Sequence, residues 1–359
     1  MTISLGYGLV TCQTHPDRTE EWPQLYAEAL TLAEEVESLG LDSIWVSEHH
    51  FVDDGHLPSL LPLLAAMAAR THRVTVGTAL LLAPLHDAVR LAEDAAVVDL
   101  ISGGRLTLGL GLGWREEEFE AFEVPMNQRV RRLIAFVEAA RAAWSGQQVS
   151  HGSARPRVTP RPATAEGPSL WVGALVETAV RRAGRIGDGF MATEVTPGEF
   201  AEQVAWIREE HVAAGREGPF TFSVHLPTLC LPSGVAWADA VEPLRYPGWK
   251  YDDMFADRGA AGPLRRPGPA DADEMERLRA TSLIGSPHEV ADQIREYAAA
   301  ADGTLHFIAR SYLPGLGSDG RMDALRGLGE VRRLLRGPDQ AERGCRSGEP
   351  FVLDVGRAQ

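Results

Sequence analysis

The feature that most constrains this chain is a rhythm. Short β-branched or apolar runs alternate with amphipathic helical patterns along almost its whole length. Strands are expected at residues 3–10, 43–50, 74–82, 105–111, 170–172, 189–193, 220–229 and 305–309. Helices are expected at 22–39, where Gly40 closes the run, and at 59–70, 87–101, 116–144, 177–186, 197–214, 287–299 and 322–335. Each strand is followed by a helix, and no block of strands stands at either end. That order specifies parallel βαβ units. Eight such units close into a (β/α)8 barrel, an α/β fold, whereas a doubly wound sheet uses fewer strands for a chain of 359 residues.

Three stretches break the rhythm. Residues 145–169 are rich in Pro, Gly and Arg and read as a surface loop or hairpin. Residues 231–280 carry many Pro, Gly and Asp residues between the seventh strand and its helix, and read as an insertion. The end of the chain, 337–359, reads as a weakly ordered tail, so the barrel is expected to span 1–336 as one domain.

Composition limits the function classes. With 44% hydrophobic and 24% charged residues, a chain of this length builds a core without disulfide staples. Cys12, Cys230 and Cys345 are far apart and form no CxxC, which argues against a disulfide framework or a zinc site and favours a reducing cytoplasm. The start MTISLGYGLV lacks the pattern of a signal peptide, and no long uncharged apolar run suggests a membrane span. A net charge of −15 disfavours nucleic acid and anionic membranes as partners. Lys250 is the only lysine.

In such a barrel the site lies at the C-terminal ends of the strands. The second strand ends in Glu48, His49 and His50, three ionisable groups that are costly to bury unless they bond or react. Alternation sends Glu48 and His50 one way and His49 the other. A polar strand end satisfied by neighbouring helices is the plainer reading, and a metal site the less fitting one, because adjacent histidines converge poorly. After the fourth strand come Gly109, Gly111, Leu112, Gly113, Trp114 and Arg115. The glycine spacing mimics a dinucleotide fingerprint, but Glu116, Glu117 and Glu118 open the next helix and would repel a pyrophosphate. The glycines instead leave room for a flat ring system, with Trp114 as a pocket wall or a core residue. Gly173, Ala174 and Leu175 precede a helix N-terminus and make a fair phosphate cradle. His225 and His306 lie in strands, in the core or in the pocket, and Arg310 follows the eighth strand as a candidate for an anionic substrate or a flavin edge. His15, His56, His72, His86, His151, His211 and His288 carry no such context, and surface or capping roles are their default.

At these residues the chain resembles the luciferase-like flavin-dependent monooxygenases, and within them the bacterial luciferase α subunit. The likeness runs through residues 9–13, Glu48 to Phe51, Val76 to Leu80, Leu91 to Asp94, Ser102 to Arg105, Gly109 to Phe119, and Met126-Asn127. It continues less distinctively at Trp171 to Gly173 and Gly285 to Val290. The resemblance implies reduced FMN, or in some branches F420, in the barrel mouth. It implies His49 as catalytic acid/base and Glu48 as a flavin-contacting glutamate. Thr78, Ala79 and Leu80 fall beneath the ring, with a non-prolyl cis peptide at Ala79–Leu80. Trp114 and Arg115 line the flavin, and Ala174, Leu175 and Thr178 lie near its phosphate. Gly111, Leu112 and Leu175 depart from the luciferase pattern, which has a cysteine, an arginine and a serine there. The inserted 231–280 stretch, with Trp249, Lys250, Tyr251, Arg265 and Arg266, falls where luciferase carries its mobile lid.

Three functions follow as expectations. The first is a two-component monooxygenase, supplied with reduced FMN by a separate NAD(P)H:flavin reductase, that oxygenates a small organic substrate with O2 through a flavin hydroperoxide. The lid would exclude water, and His50, His225, Trp249 and Arg310 are candidates to meet the substrate. The second is an F420-dependent dehydrogenase or reductase. The third is a noncatalytic subunit like luciferase β, against which the Glu48-His49-His50 run argues. A homodimer through the alanine-rich helix at 59–70 is also expected.

Overall fold

The computed structural model describes residues 1–230, 237–255 and 268–336. The first half of the barrel is β1 (Thr2–Val10), α1 (Trp22–Ser38), β2 (Ser43–Val46), α2 (Leu60–Arg70), β3 (Thr75–Leu81), α3 (Ala88–Ser102) and β4 (Leu106–Leu110), then α4 (Glu116–Ala121) and α5 (Arg129–Trp144). The second half is β5 (Ser169–Gly173), α6 (Glu177–Ile186), β6 (Gly189–Thr193), α7 (Pro197–Ala213) and β7 (Thr221–Cys230). It continues with α8 (Trp237–Phe255), α9 (Ala272–Thr281), β8 (Leu283–Gly285), α10 (Pro287–Ala300), β9 (Thr304–Arg310) and α11 (Gly317–Arg336). Strands β1 to β7 pair in sequence, β7 pairs with β9, and β9 returns to β1, all in parallel. The eight-stranded parallel barrel is therefore closed.

The local reasons are in the sequence. Ser286 and Thr196 form capping boxes with Glu289 and Glu199, each followed by a proline in the first turn. Asp87 caps α3, and Gly103 ends it in the left-handed region at φ 69°.

Four expectations need correcting. The helix expected over 116–144 is two helices, parted at Pro125, whose ring cannot continue the backbone ladder. The second strand stops at Val46, and residues 47–50 leave the sheet while staying buried. A ninth strand, β8, adds to the far end of β7 through Thr228–Cys230; three residues are too few to show a period. The inserted stretch is largely helical where it is described, since its Pro and Gly content hid the faces of α8 and α9. Its remainder, including Arg265 and Arg266, and the tail with Cys345 lie outside the described residues. Residues 145–169 contain a hairpin, bridged at Gln148–Arg157 and His151–Ala154.

Most of the core lies between the strands and the ring of helices. Inside the barrel the floor is a plug of Trp45 and Trp171, their rings 5.1 Å apart, with His306 edge-on to both. Ser43 Oγ accepts from Trp45 Nε1 at 2.7 Å and lies 2.8 Å from His306 Nε2. Burial, with Arg332 nearby, pushes His306 down to about 4, so it serves the floor as a neutral ring. Leu9, Ala79, Met191 and Ile308 cover this plug. The polar residues are left at the opposite end, where the strands finish.

Candidate active site

The buried run after β2 splits in two. His49 turns to α4, where its Nδ1 lies 2.9 Å from Glu118 Oε1. The same oxygen accepts the backbone N–H of His50 at 2.9 Å. A carboxylate only accepts, so Nδ1 carries the proton and Nε2 is free to take one. The His49 ring packs against Trp114 at 5.8 Å and Tyr251 at 5.5 Å. Glu118 is fully buried. From the sequence Glu118 is only one of three acids that would repel a pyrophosphate; an acid in the first turn of a helix that follows a glycine-rich strand end is the available signal.

Glu48 and His50 point the other way, the division expected from alternation, although the strand has already ended at Val46. Glu48 Oε1 lies 2.7 Å from His50 Nε2 and 2.9 Å from His86 Nε2, and Oε2 accepts from Leu82 N–H at 2.8 Å. Burial alone would raise the Glu48 carboxyl, but the hydrogen bonds from His50 and His86 outweigh it and hold it at about 2. Burial would lower His86, and Glu48 raises it instead. Glu48 and His50 thus form a network behind the mouth, and His50 packs edge-on to Phe122 at 4.8 Å. His86 belongs to this network rather than to the surface.

The other candidates divide similarly. The peptide Ala79–Leu80 is cis, as the resemblance implied. Thr78 donates to the Gly109 carbonyl at 2.8 Å and ties β3 to β4. The room beside the glycines is taken by protein, not left for a ring. A Cβ on Gly109 would meet the Thr78 carbonyl at 2.1 Å, and one on Gly173 would meet Leu80 Cδ1 at 2.3 Å. Gly111 likewise abuts Leu80, Gly113 adopts φ 72° against Phe119, and Leu112 packs on the main core. Arg115 donates to the His50 and Phe51 carbonyls and pairs with Glu117, so it braces the loop after β2. Ala174, Leu175 and Thr178 sit at the start of α6, with Leu175 and Thr178 exposed, and no side chain caps that helix. The one acid of its first turn, Glu177, is engaged by Arg181 at 2.7 Å.

Helix α8 closes the mouth. Lys250 Nζ lies 2.7 Å from Asp54 Oδ2 and 2.9 Å from His56 Nδ1. Tyr246 donates to the same Asp54 oxygen at 2.7 Å, and Gln13 does so at 3.2 Å. Tyr251 lies under the Arg310 guanidinium, 5.6 Å from ring centre to carbon. Trp249 packs edge-on to Tyr246, the ring centres 4.8 Å apart. His225 is buried on β7, and burial, with Arg310 nearby, pushes it down to about 3. Neither Asp54 nor His56 was singled out from the sequence; their partners come from a helix almost two hundred residues away. Among the described residues no group of three or more His, Cys, Asp or Glu is placed to hold a metal, and no helix is long and apolar enough to cross a membrane.

A closed (β/α)8 barrel with a buried histidine–carboxylate pair at its mouth defines a class of barrel enzymes. Residues 4–303 match the model of the luciferase-like monooxygenase family, and the chain belongs to that family. It is an oxidoreductase of that family. The oxygenase component of flavin-dependent trigonelline monooxygenase from Acinetobacter baylyi is 26% identical over 306 residues, 77% of this chain and 81% of that protein. An F420-dependent glucose-6-phosphate dehydrogenase from Beutenbergia cavernae is 37% identical over 172 residues, 44% of this chain and 49% of that protein. Among solved structures, a monooxygenase from Streptomyces bottropensis superposes with a TM-score of 0.74 at 24% identity, covering 92% of this chain and 98% of that one. The FMN-bound oxygenating constituent of 3,6-diketocamphane monooxygenase from Pseudomonas putida superposes at 0.69 with 18% identity, covering 92% and 98%.

Proposed function

We propose that this protein is the oxygenase component of a two-component flavin monooxygenase. It would take reduced FMN from a separate NAD(P)H:flavin reductase and use O2 to oxygenate a small organic substrate. The observation that carries this reading is the His49–Glu118 pair beneath Tyr251 and beside Trp114, a proton-handling group in a mouth that α8 shields from water. The relative named as an oxygenase component matches over most of both chains, which supports the same reading.

Two features support a bound flavin: Trp114 beside His49 offers an aromatic wall, and the uncapped start of α6 offers backbone N–H groups to a phosphate. Reduced FMN would supply the electrons that activate O2. His49 would accept or return a proton at Nε2, with Glu118 fixing its ring. Residues 231–280 would act as a lid over a single barrel domain spanning 1–336, and the Asp54–Lys250 pair would hold the lid's α8 down. Two buried free thiols, Cys12 and Cys230, suit a reducing cytoplasm.

The F420-dependent reading has one observation in its favour, the higher local identity to the F420-dependent dehydrogenases. Anaerobic titration with reduced FMN and reduced F420, followed by air, separates the two. Tight FMN binding with oxygen-dependent flavin turnover is the expected result. Tight F420 binding without oxygen consumption would move the protein to hydride transfer, and binding of neither would revive a noncatalytic subunit.

We also propose a homodimer. Helix α3 exposes Val97, Leu100 and Ile101, and a cleft of about 470 Å³ lies between α2 and α3.

A further inference from the structure

The barrel mouth holds more hydrogen-bond donors than acceptors. Under α8, the remaining space is bounded by Thr11, Gln13, His56, Lys250, Arg310 and Tyr312, among others. Lys250 is 1% exposed and bonds both Asp54 and His56. An ammonium can only donate, so His56 Nδ1 accepts and the ring proton sits on Nε2. That Nε2–H is buried with only the Ser47 backbone beside it and meets no well-aligned acceptor. The hydroxyls of Thr11 and Tyr312 are also buried and unpartnered, their residues 6% and 3% exposed. Asp54 balances Lys250. Arg310 is half-buried and, among the described residues, has only Tyr251 as its partner: it lies over that ring and engages its hydroxyl, and no carboxylate pairs with it.

Buried donors and an unpaired cation are costly unless a ligand satisfies them. Among the described residues, each unmet group lining this space can donate, and one positive charge has no carboxylate partner. The complementary ligand is a monoanion that accepts several hydrogen bonds.

We propose that this mouth is the seat of a substrate carboxylate, with Arg310 meeting its charge and Thr11, His56 and Tyr312 donating to its oxygens. The proposal rests on the reading of the mouth as the substrate side of a flavin site. A phosphate dianion fits less well, since only one charge is unmatched. In this structure Tyr251 covers the Arg310 guanidinium, and the space left is about 10 Å³, room for about one water. A carboxylate reaches Arg310 only when Tyr251 swings aside with its helix.

Calorimetric titration of the flavin-free, full-length protein tests this. The probes are benzoate, phenylacetate and hexanoate, each compared with its amide, and repeated in saturating FMN. At least one acid is expected to bind about tenfold or more tighter than its amide. Arg310→Gln is expected to erase that preference while FMN affinity stays within twofold (~) of the parent. Should Arg310→Gln lower the unfolding midpoint, Tyr312→Phe and Thr11→Val each remove one hydroxyl and carry the same comparison. Equal binding of acids and amides, no binding of any acid, or unchanged acid affinity in all three variants overturns the seat. Displacement of the acid by FMN, or loss of FMN affinity in Arg310→Gln, assigns the mouth to the flavin phosphate and also overturns it. If acids bind with charge preference but no flavin binds, the seat stands and the oxygenase reading falls. If flavin binds and turns over without charge preference, the reverse holds.

Discussion

Glu118 holds His49 from across the barrel mouth: its Oε1 lies 2.9 Å from His49 Nδ1 and, at the same distance, accepts the backbone N–H of His50. One buried oxygen therefore fixes both the ring's tautomer and the loop that carries it. If His49 moves a proton in the reaction, the two residues must fail differently. His49→Ala is expected to lower kcat by about 100-fold or more, the scale of lost general acid–base catalysis. Glu118→Gln keeps an acceptor and a similar shape, and is expected to cost about tenfold, with a shifted pH profile. Steady-state turnover with reductase-supplied FMN measures both, and FMN affinity is the control. Equal loss of flavin binding in both variants would assign the pair to the cofactor instead.

Glu48 makes a stability prediction rather than a catalytic one. Its carboxyl is held at about 2 against an ordinary 4.5. A depressed carboxyl stabilises the fold above its unfolded value, and that stabilisation is lost as pH falls from about 4.5 towards 2. The shift corresponds to on the order of 3 kcal/mol. His86 has the opposite sign. Its pKa is raised above 6.5, so its contribution is full below 6.5 and is lost as pH rises through the raised value. Urea unfolding midpoints across pH should decline on both sides, and His86→Gln should flatten the alkaline side and, because His86 helps depress Glu48, soften the acid side as well. An acid limb no steeper than that of Glu48→Gln would mean the carboxyl is not depressed.

Asp54 ties α8 to the barrel through Lys250 and Tyr246. Removing one partner of a buried pair leaves the other uncompensated and costs about 3–5 kcal/mol. Here that cost falls first on the contacts of α8. Asp54→Asn should therefore speed chymotrypsin cleavage within residues 237–255 before it changes global unfolding. The double variant Asp54→Leu with Lys250→Met, which removes both charges, should recover much of the protection. Cleavage at the parent rate in Asp54→Asn would show that the pair does not hold α8 down.

The barrel was legible because its period is strong: each strand–helix unit repeats a pattern long enough to read. Glu48, His49 and His50 were legible because three ionisable groups at a strand end are hard to explain otherwise. Their division matches the expected alternation, but the strand ends at Val46, so the partners Glu118 and His86 rather than a pleat hold His49 one way and its neighbours the other. What joined them was not legible. Glu118, His86, Asp54 and His56 become partners only when β2, β3, α4 and α8 meet in space, and no spacing along the chain records that. The glycines after β4 were read as space for a ring. They are space for Leu80, Phe119 and the Thr78 carbonyl, because a missing side chain shows that something approaches but not what. Helices α8 and α9 were hidden by their composition. Pro243 and Pro247 sit inside α8, where a helix is least expected.

The proposed dimer is the last prediction. Helix α3 leaves Val97, Leu100 and Ile101 between 43% and 47% exposed, on the helix that borders the cleft beside α2. Clustered apolar exposure of this kind is uncommon on a monomer unless it meets a partner. A second copy packed there would bury the three side chains and reach the wall that Glu48 and His86 line. Light scattering at micromolar concentration should then give about twice the 38.9 kDa chain mass. Ile101→Arg and Val97→Arg place a charge in that contact and should return the mass to one chain, with the unfolding midpoint falling as the partner is lost. A single-chain mass for the parent protein would leave the α3 face without a partner copy and overturn the dimer.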